Sequence, residues 1–436
     1  QISKIAELET QLLDSAAEHQ VVQAYLRRAK EMEARLQDVE GALERERELG
    51  RERIRQLRAQ NADVGLIVSA SRELAALPRD AASARERWTR EMHENYERAK
   101  PLGGLPPHSQ AYAGDPNGTP EEQREYELAR RNFLALMFCL MVGTAGLPHL
   151  LTRYYTSPTV AGARASVAWS LFFIALLYLS APALAVLVKF EVMQNLVGSS
   201  FEALPNWMAQ WARVDSSLLS IEDVNGDGIV QFGEIRLGAD LIMLATPELG
   251  GLPYVVSGLV AAGGLAAALS TADGLLLTIS NALVRDLYFR GTKRDASPEQ
   301  RVILTKFTLL TVALSAAFVA ALKPSEILTM VSASFSLAAS AFVPVMVLGI
   351  FWRGTTRKGA VAGMLAGLGV AVYYLLSHVP AVRAALPGWL LADGLWFGIQ
   401  PISAGVFGVP AGFVAAAVVS RITRPAPVPT GVRLEI

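Results

Sequence analysis

Two hydrophobic patterns divide the chain. From Gln1 to about residue 66, apolar side chains recur three and four apart among Glu, Arg, Gln and Ala; Ile5, Leu8 and Leu12 form one set, and Leu36, Val39 and Leu43 another. This spacing lays a narrow apolar stripe on a charged helix, and no proline interrupts before Pro78. The pattern predicts a long charged helix over 1–77 as a coiled coil or helical hairpin, able to self-associate, with a solvated spacer helix as the alternative. Ala16 and Arg28 near core positions make the heptad imperfect. Residues 78–130 include PLGGLPPHSQAYAGDPNGTPEE, which predicts a Gly/Pro-rich linker with short helices, ending at a helix start over Thr119–Glu122. Beyond it lie apolar runs near 131–152, 166–190, 253–285, 301–322, 326–352, 358–379 and 398–420, each of bilayer-crossing length. The expected fold is therefore an all-α, polytopic membrane bundle over 131–424, interrupted by an extramembrane loop at 191–250 and followed by a disordered tail at 425–436.

Composition sharpens this division. The chain has 436 residues, 52% of them hydrophobic and only 18% charged, and its 40 basic and 40 acidic residues cancel. The charges crowd into the first 130 residues, where acids nearly match arginines, so a basic nucleic-acid arm is excluded. The single cysteine, Cys139, excludes an internal disulfide and a cysteine-rich metal site. Nothing resembles a nucleophile–base pattern or a phosphate loop, so the chain is not expected to be an enzyme. Gln1 stands where an initiator Met would be, and the chain is expected to be part of a longer reading frame.

Lys and Arg alternate between the loops. Arg153 with Arg164, Arg290 with Lys293, Arg294 and Arg301, Arg353 with Arg357 and Lys358, and Arg421 with Arg424 make one set. The opposite loops hold only Lys189, Arg213, Arg236, Lys323 and Arg383. The positive-inside rule then puts the C-terminus in the cytoplasm and the N-terminal helical region outside an inner (plasma) membrane. Trp207, Trp211, Trp389 and Trp396 are expected at the membrane interfaces.

Candidate chemistry falls in three places. Ala267, Ser270 and Thr271 stand at i, i+3 and i+4, on one face of a spanning helix. Two hydroxyls and a carbonyl make a neutral oxygen set suited to a weakly held monovalent cation such as sodium. The alternative is that the hydroxyls back-bond to the preceding turn. Asp273, two residues on, would assist the ion, carry a proton or pair with another helix. A second stretch, Gly143-Thr144-Ala145-Gly146-Leu147-Pro148-His149, holds two glycines and a proline in an apolar run. Such residues break a membrane helix, either to line a substrate cavity or to let helices pack closely. His149 receives no role.

Third, residues Asp223 to Glu234, DVNGDGIVQFGE, fit the twelve-residue EF-hand loop. Asp223, Asn225 and Asp227 supply oxygens at positions 1, 3 and 5, and Gly228 makes the sharp turn at 6. Ile229 offers its carbonyl at 7, Gln231 stands at 9, and Glu234 gives the bidentate carboxylate at 12. SSLLSIE and FGEIRLGADLIMLA read as flanking helices, so a structural calcium site is expected, against the alternative of an ion-free turn.

Two of these segments resemble a known family. AAALSTADGLLLTISNALVRDLY resembles the eighth core helix of the sodium:solute symporter family, and LMVGTAGLPHLLTRYYTSPTVAGARASVAWS resembles its sixth core helix and following segment, closest to the acetate permease-like, cation/monocarboxylate branch. The resemblance covers about Asn132 onward. It implies the second half of a five-plus-five inverted-repeat fold plus two extra helices, with a sodium site using Ala267, Ser270 and Thr271 and sodium-driven uptake of a small organic anion such as acetate. The family completes that sodium site with backbone from a broken first-repeat helix, which this sequence does not contain. Two rival readings are a symporter-like membrane sensor with a signalling helix, and a structural membrane protein that uses calcium for adhesion.

Overall fold

The computed structural model describes residues 2–60, 62–105, 110–151, 158–215, 218–289, 297–322 and 327–423. Arg153, Arg290, Lys293, Arg294, Lys323, Arg424 and the expected tail at 425–436 lie outside the described residues. The chain divides into two compact units, 1–111 with 180–257, and 112–179 with 258–436.

In the first unit the single long helix expected from the sequence is replaced by four: α1 (Ile2–Leu13), α2 (Ala16–Gln37), α3 (Val39–Ala59) and α4 (Val64–Ala75). The chain leaves helical geometry at Ser15, which is extended, and at Asp38, whose carboxylate then caps α3 by accepting from Gly41 N at 3.1 Å. A further helix, α5 (Ala81–Arg98), forms where a linker with short helices was expected, and the Asp80/Ser83 capping box starts it. α2 packs on α5, and α3 on both α4 and α5. Ile5, Val39 and Leu43 of the apolar stripe are therefore buried within the chain. Val39 and Leu43, with Leu36 and Met32 beside them, enclose Ala84 and Trp88. Ile5, with Leu8 and Leu12, joins Leu102, Val192, Met208, Leu219 and Phe232 in the largest buried cluster. Arg98 staples three elements, donating to Tyr25 Oη at 3.0 Å and to Ser220 Oγ at 3.3 Å.

The spanning helices form because lipid leaves the backbone no partner but itself. Seven segments among the described residues are long and apolar enough to cross a membrane, running from Pro120–Leu151 to Pro401–Ile422. Their helices are α6 (Pro120–Gly146), α7 (Val160–Glu191), α10 (Tyr254–Asn281), α11 (Pro298–Ala321), α12 (Ile327–Phe351), α13 (Arg357–Leu376) and α14 (Gly405–Ile422). Between α7 and α10 lie α8 (Asn206–Val214), the hairpin β1 (Leu219–Ile221) with β2 (Ile235–Leu237), and α9 (Ala239–Leu249). The hairpin departs from the all-α expectation. α1 meets the end of α7 through the buried pair of Glu9 and Lys189.

In the second unit, α6, α12, α13 and α14 pack together. A row of glycines at i, i+4 and i+8 sets the contact on α13. A Cβ added at Gly363 meets Gly412 O at 2.9 Å, and one at Gly367 meets Ser340 O at 2.2 Å and Gly408 O at 3.0 Å. Trp396 was expected at an interface; its ring packs with Tyr374 and Phe407, while Tyr374 donates to Ile399 O at 2.6 Å. Trp207 and Trp211 lie against the first unit's core, and Trp389 is exposed. Pro344 lies inside α12 and Pro410 inside α14. The apolar stretches of α10 and α11 bury none of their residues against this chain.

The glycine contact predicts an asymmetry. Gly367→Val should lower the thermal stability of the detergent-solubilised protein by about 1–3 kcal/mol, because the neighbour in the way is backbone. Gly369→Ala, where an added Cβ meets nothing within 4 Å, should be neutral or slightly stabilising in the same unfolding measurement.

Candidate functional site

The helix α10 carries Ala267, Ser270, Thr271 and Asp273, all exposed along it. Thr271 Oγ1 donates to Ala267 O at 3.1 Å. The spacing puts Ala267, Ser270 and Thr271 on one face, and the back-bond from Thr271 to Ala267 is the arrangement a membrane threonine adopts without an ion. No other described part of the chain covers this face. The helix continues into a π-helical stretch, Ala282–Phe289, that includes Arg285 and Asp286.

The break expected at the second motif is present. α6 ends at Gly146, Leu147 is extended, and a one-turn helix Pro148–Leu151 follows. The two glycines, however, face α12. A Cβ at Gly143 meets Phe335 O at 2.6 Å, and one at Gly146 meets Ala338 O at 2.9 Å and Val343 Cγ2 at 3.0 Å. Close packing is the use the structure makes of them. Thr144 is exposed and donates to Leu140 O at 2.7 Å; Pro148 is half-buried.

The acidic loop is ordered by its own backbone. Asp223 Oδ1 accepts from Gly226 N at 2.7 Å and from Asp227 N at 3.2 Å, and its Oδ2 from Gly228 N at 3.0 Å. Asn225 and Gln231 both donate to Asp227 Oδ2, at 3.0 and 2.6 Å. Gly226 and Gly228 have φ of +77° and +72°, which suits a residue without a Cβ. Ile229 bridges to Ser200, and its N–H donates to Asp227 Oδ1 at 2.8 Å. Glu234 is 0% exposed, and its carboxylate accepts from Val224 N at 2.8 Å and Gln231 N at 3.1 Å. Burial pushes this carboxyl above the usual range, against the pull of those amides. The flanks are corrected in part: β1 stands before the loop and a short 3-10 turn with β2 directly after it, so the loop closes a hairpin, and only ADLIMLA, at the start of α9, is helical as expected. Among the described residues, no three His, Cys, Asp or Glu side chains gather around a common point fit for a metal.

One contact has no sequence signal at all. Glu18 on α2 reaches across the chain and accepts from Phe232 N and, at 3.2 Å, from Gly233 N. Burial raises its carboxyl, and the two amides partly offset that. The N-terminal helices are thereby fastened to the far end of the acidic loop.

The sodium:solute symporter family matches residues 244–367, the stretch that contains α10. Residues 244–367 are thus similar to that family. The chain is 50% identical over 429 residues to an uncharacterized symporter of Cupriavidus necator, covering 98% of this chain and 61% of that protein. It is 28% identical over 301 residues to a monocarboxylic acid transporter of Corynebacterium glutamicum, covering 67% of this chain and 47% of the other. Over 149 residues it is 33% identical to the high-affinity proline transporter PutP of Bacillus subtilis, covering 32% of each. The chain thus spans less than two thirds of the length of these relatives. No solved structure matches it.

The fastening by Glu18 is testable. Glu18→Ala should cost roughly 1–3 kcal/mol of local stability, since it removes a charged acceptor from two backbone amides. Hydrogen exchange at Phe232 and Gly233 should accelerate accordingly, while the amides of α13 keep wild-type protection.

Proposed function

We propose that this chain works in sodium-coupled symport of a small monocarboxylate such as acetate, with its ion-binding face on α10. The observation that carries the reading is that the symporter match at 244–367 contains the Ala267–Ser270–Thr271 face. Symporters of this family move solutes and are not enzymes. The solute class leans on the Corynebacterium relative, a monocarboxylic acid transporter. Sodium bound by the Ala267 carbonyl and the Ser270 and Thr271 hydroxyls would favour one conformation of an alternating-access cycle, with Asp273 close enough to assist or to carry a proton. Thr144 and Pro148, flanking the break after α6, are proposed to face the solute, with Gly143 and Gly146 setting the α6–α12 approach. The alternation of Lys and Arg supports an N-terminal helical region and acidic loop outside a plasma membrane and a cytoplasmic C-terminus.

In cells expressing the protein, Ser270→Ala and Thr271→Ala should each raise the sodium concentration for half-maximal acetate uptake about tenfold, the effect of losing roughly 1.4 kcal/mol of ion binding. Wild-type sodium dependence in both variants sinks the assignment.

A second reading concerns the loop 223–234 alone. Its residues match the calcium-loop pattern at every liganding position, and we propose a weak structural calcium site there. Binding would require Glu234 to exchange its two amide donors for the ion. Calorimetry on the solubilised protein should show calcium binding with a Kd on the order of 10⁻⁴–10⁻³ M, abolished by Asp223→Ala. A flat titration of the wild type refutes it.

A further inference from the structure

In the first unit, the corner between α1 and α2 encloses a cavity. The chain leaves α1 through the extended Ser15, and the short turn Pro101–Gly104 after α5 packs against α1. The space left between them measures about 100 Å³ and is partly enclosed. Leu12 and Leu13 of α1, Val21 and Val22 of α2, and Leu102 of the turn give it apolar walls. Leu102 is held at φ of +54°, a left-handed conformation that side-chain-bearing residues rarely adopt and that gathers at ligand clamps. Its side chain joins the unit's largest buried cluster, so this wall is fixed from behind.

Glu18, His19, Arg98 and Lys100 line the same space. Glu18 spends one oxygen on Phe232 N and the other on Gly233 N. Lys100 Nζ holds both oxygens of Glu97, at 2.9 and 2.8 Å, and His19 is exposed. Arg98 is different. It is half-buried, and its hydrogen bonds go to neutral oxygens, Tyr25 Oη at 3.0 Å and Ser220 Oγ at 3.3 Å. Among the described residues no carboxylate pairs with it, and Glu222, two residues beyond Ser220, is taken by Arg28 at 2.8 Å. A half-buried charge without a counter-ion favours an anion, and the planar fork of a guanidinium fits a carboxylate best. The apolar walls favour a hydrocarbon tail on that anion. The volume keeps the tail short. A dry cavity of roughly 150 Å³ takes a six-carbon ring, so one of about 100 Å³ holds about four or five heavy atoms.

We propose that this cavity binds a short-chain monocarboxylate of about two to four carbons, with the carboxylate on Arg98 and the alkyl end against Leu12, Val22 and Leu102. The site lies wholly within the first unit and uses no residue of α10. The ligand class comes from the cavity alone. Its coincidence with the proposed cargo rests on the symport reading, under which this is a second solute site, apart from the residues that carry the solute across. A ligand seated here touches α1, α2 and the turn at once, so its binding slows their local opening.

The test is hydrogen exchange on the purified full chain in detergent, in choline chloride without sodium, with propionate as the probe. Propionate should protect the amides of residues 99–105, half-saturating on the order of 1 mM, and leave those of α13 unchanged. Propionamide, the same shape without the charge, should need at least about tenfold more. Benzoate, too large for the space, should not protect. No protection by propionate up to about ten times the expected concentration, or equal protection by propionamide or benzoate, overturns the proposal. Arg98→Gln should abolish the effect, and protection retained in it overturns the proposal too. Should that variant not fold, propionate against propionamide on the wild type decides. Acetate uptake by cells separates the two readings. Sodium-dependent uptake without protection at residues 99–105 leaves symport standing and ends the cavity site. Protection without uptake ends the symport reading and leaves the site.

Discussion

A polar atom inside hydrocarbon has no water to turn to, and most of this chain is arranged around that fact. It explains why the seven apolar segments are helices of bilayer length. It explains why the hydroxyls along them bend back, as Thr271 does to Ala267 O, Ser332 to Leu328 O and Ser340 to Ser336 O. It also marks the exceptions as informative. Asp273 lies exposed on a helix whose apolar length is not buried by the rest of the chain, and Glu248 keeps a carboxylate oxygen buried on a helix whose neighbours are apolar. One precedes the entry to the span and the other follows it.

The first unit obeys a different balance. Its helices are highly charged, and surface pairs such as Arg87–Glu91 contribute little each. What holds them is apolar burial around Trp88 and around Met208, Leu219 and Phe232, with Glu18 and Arg98 as polar fasteners between distant parts of the sequence. A signalling reading would want an uninterrupted rod here. The breaks at Ser15 and Asp38, and the packing of α2 on α5, give a folded bundle instead.

Much of this is legible in the sequence, and the limits have physical causes. The spans can be read because length and apolarity are what a bilayer demands, so the runs near 326–352 and 358–379 correspond to α12 and α13 within a few residues. The stripe of Ile5, Leu36 and Leu43 is visible, but its partner is not: the same period serves a seam between chains or a core within one, and Trp88 decides the matter from far along the sequence. Leu219–Ile221 and Ile235–Leu237 are too short to show a strand's alternation, so the flanks of the acidic loop read as helices although the loop pattern itself is plain. Gly143 and Gly146 announce a break and leave its purpose open until α12 is seen against them. Glu18 gives no hint, because a carboxylate on a charged helix looks like every other one.

The glycine row on α13 has a mechanical meaning. With Gly363 and Gly367 set against the carbonyls of Gly412, Gly408 and Ser340, there is no layer of long side chains to deform between these helices. Sliding one past another by a fraction of a turn would drive backbone into backbone, whereas tilting the set together disturbs none of these contacts. The easy coordinate for α12, α13 and α14 is therefore collective rocking about a shared pivot, with shear locked out by the teeth of the contact itself.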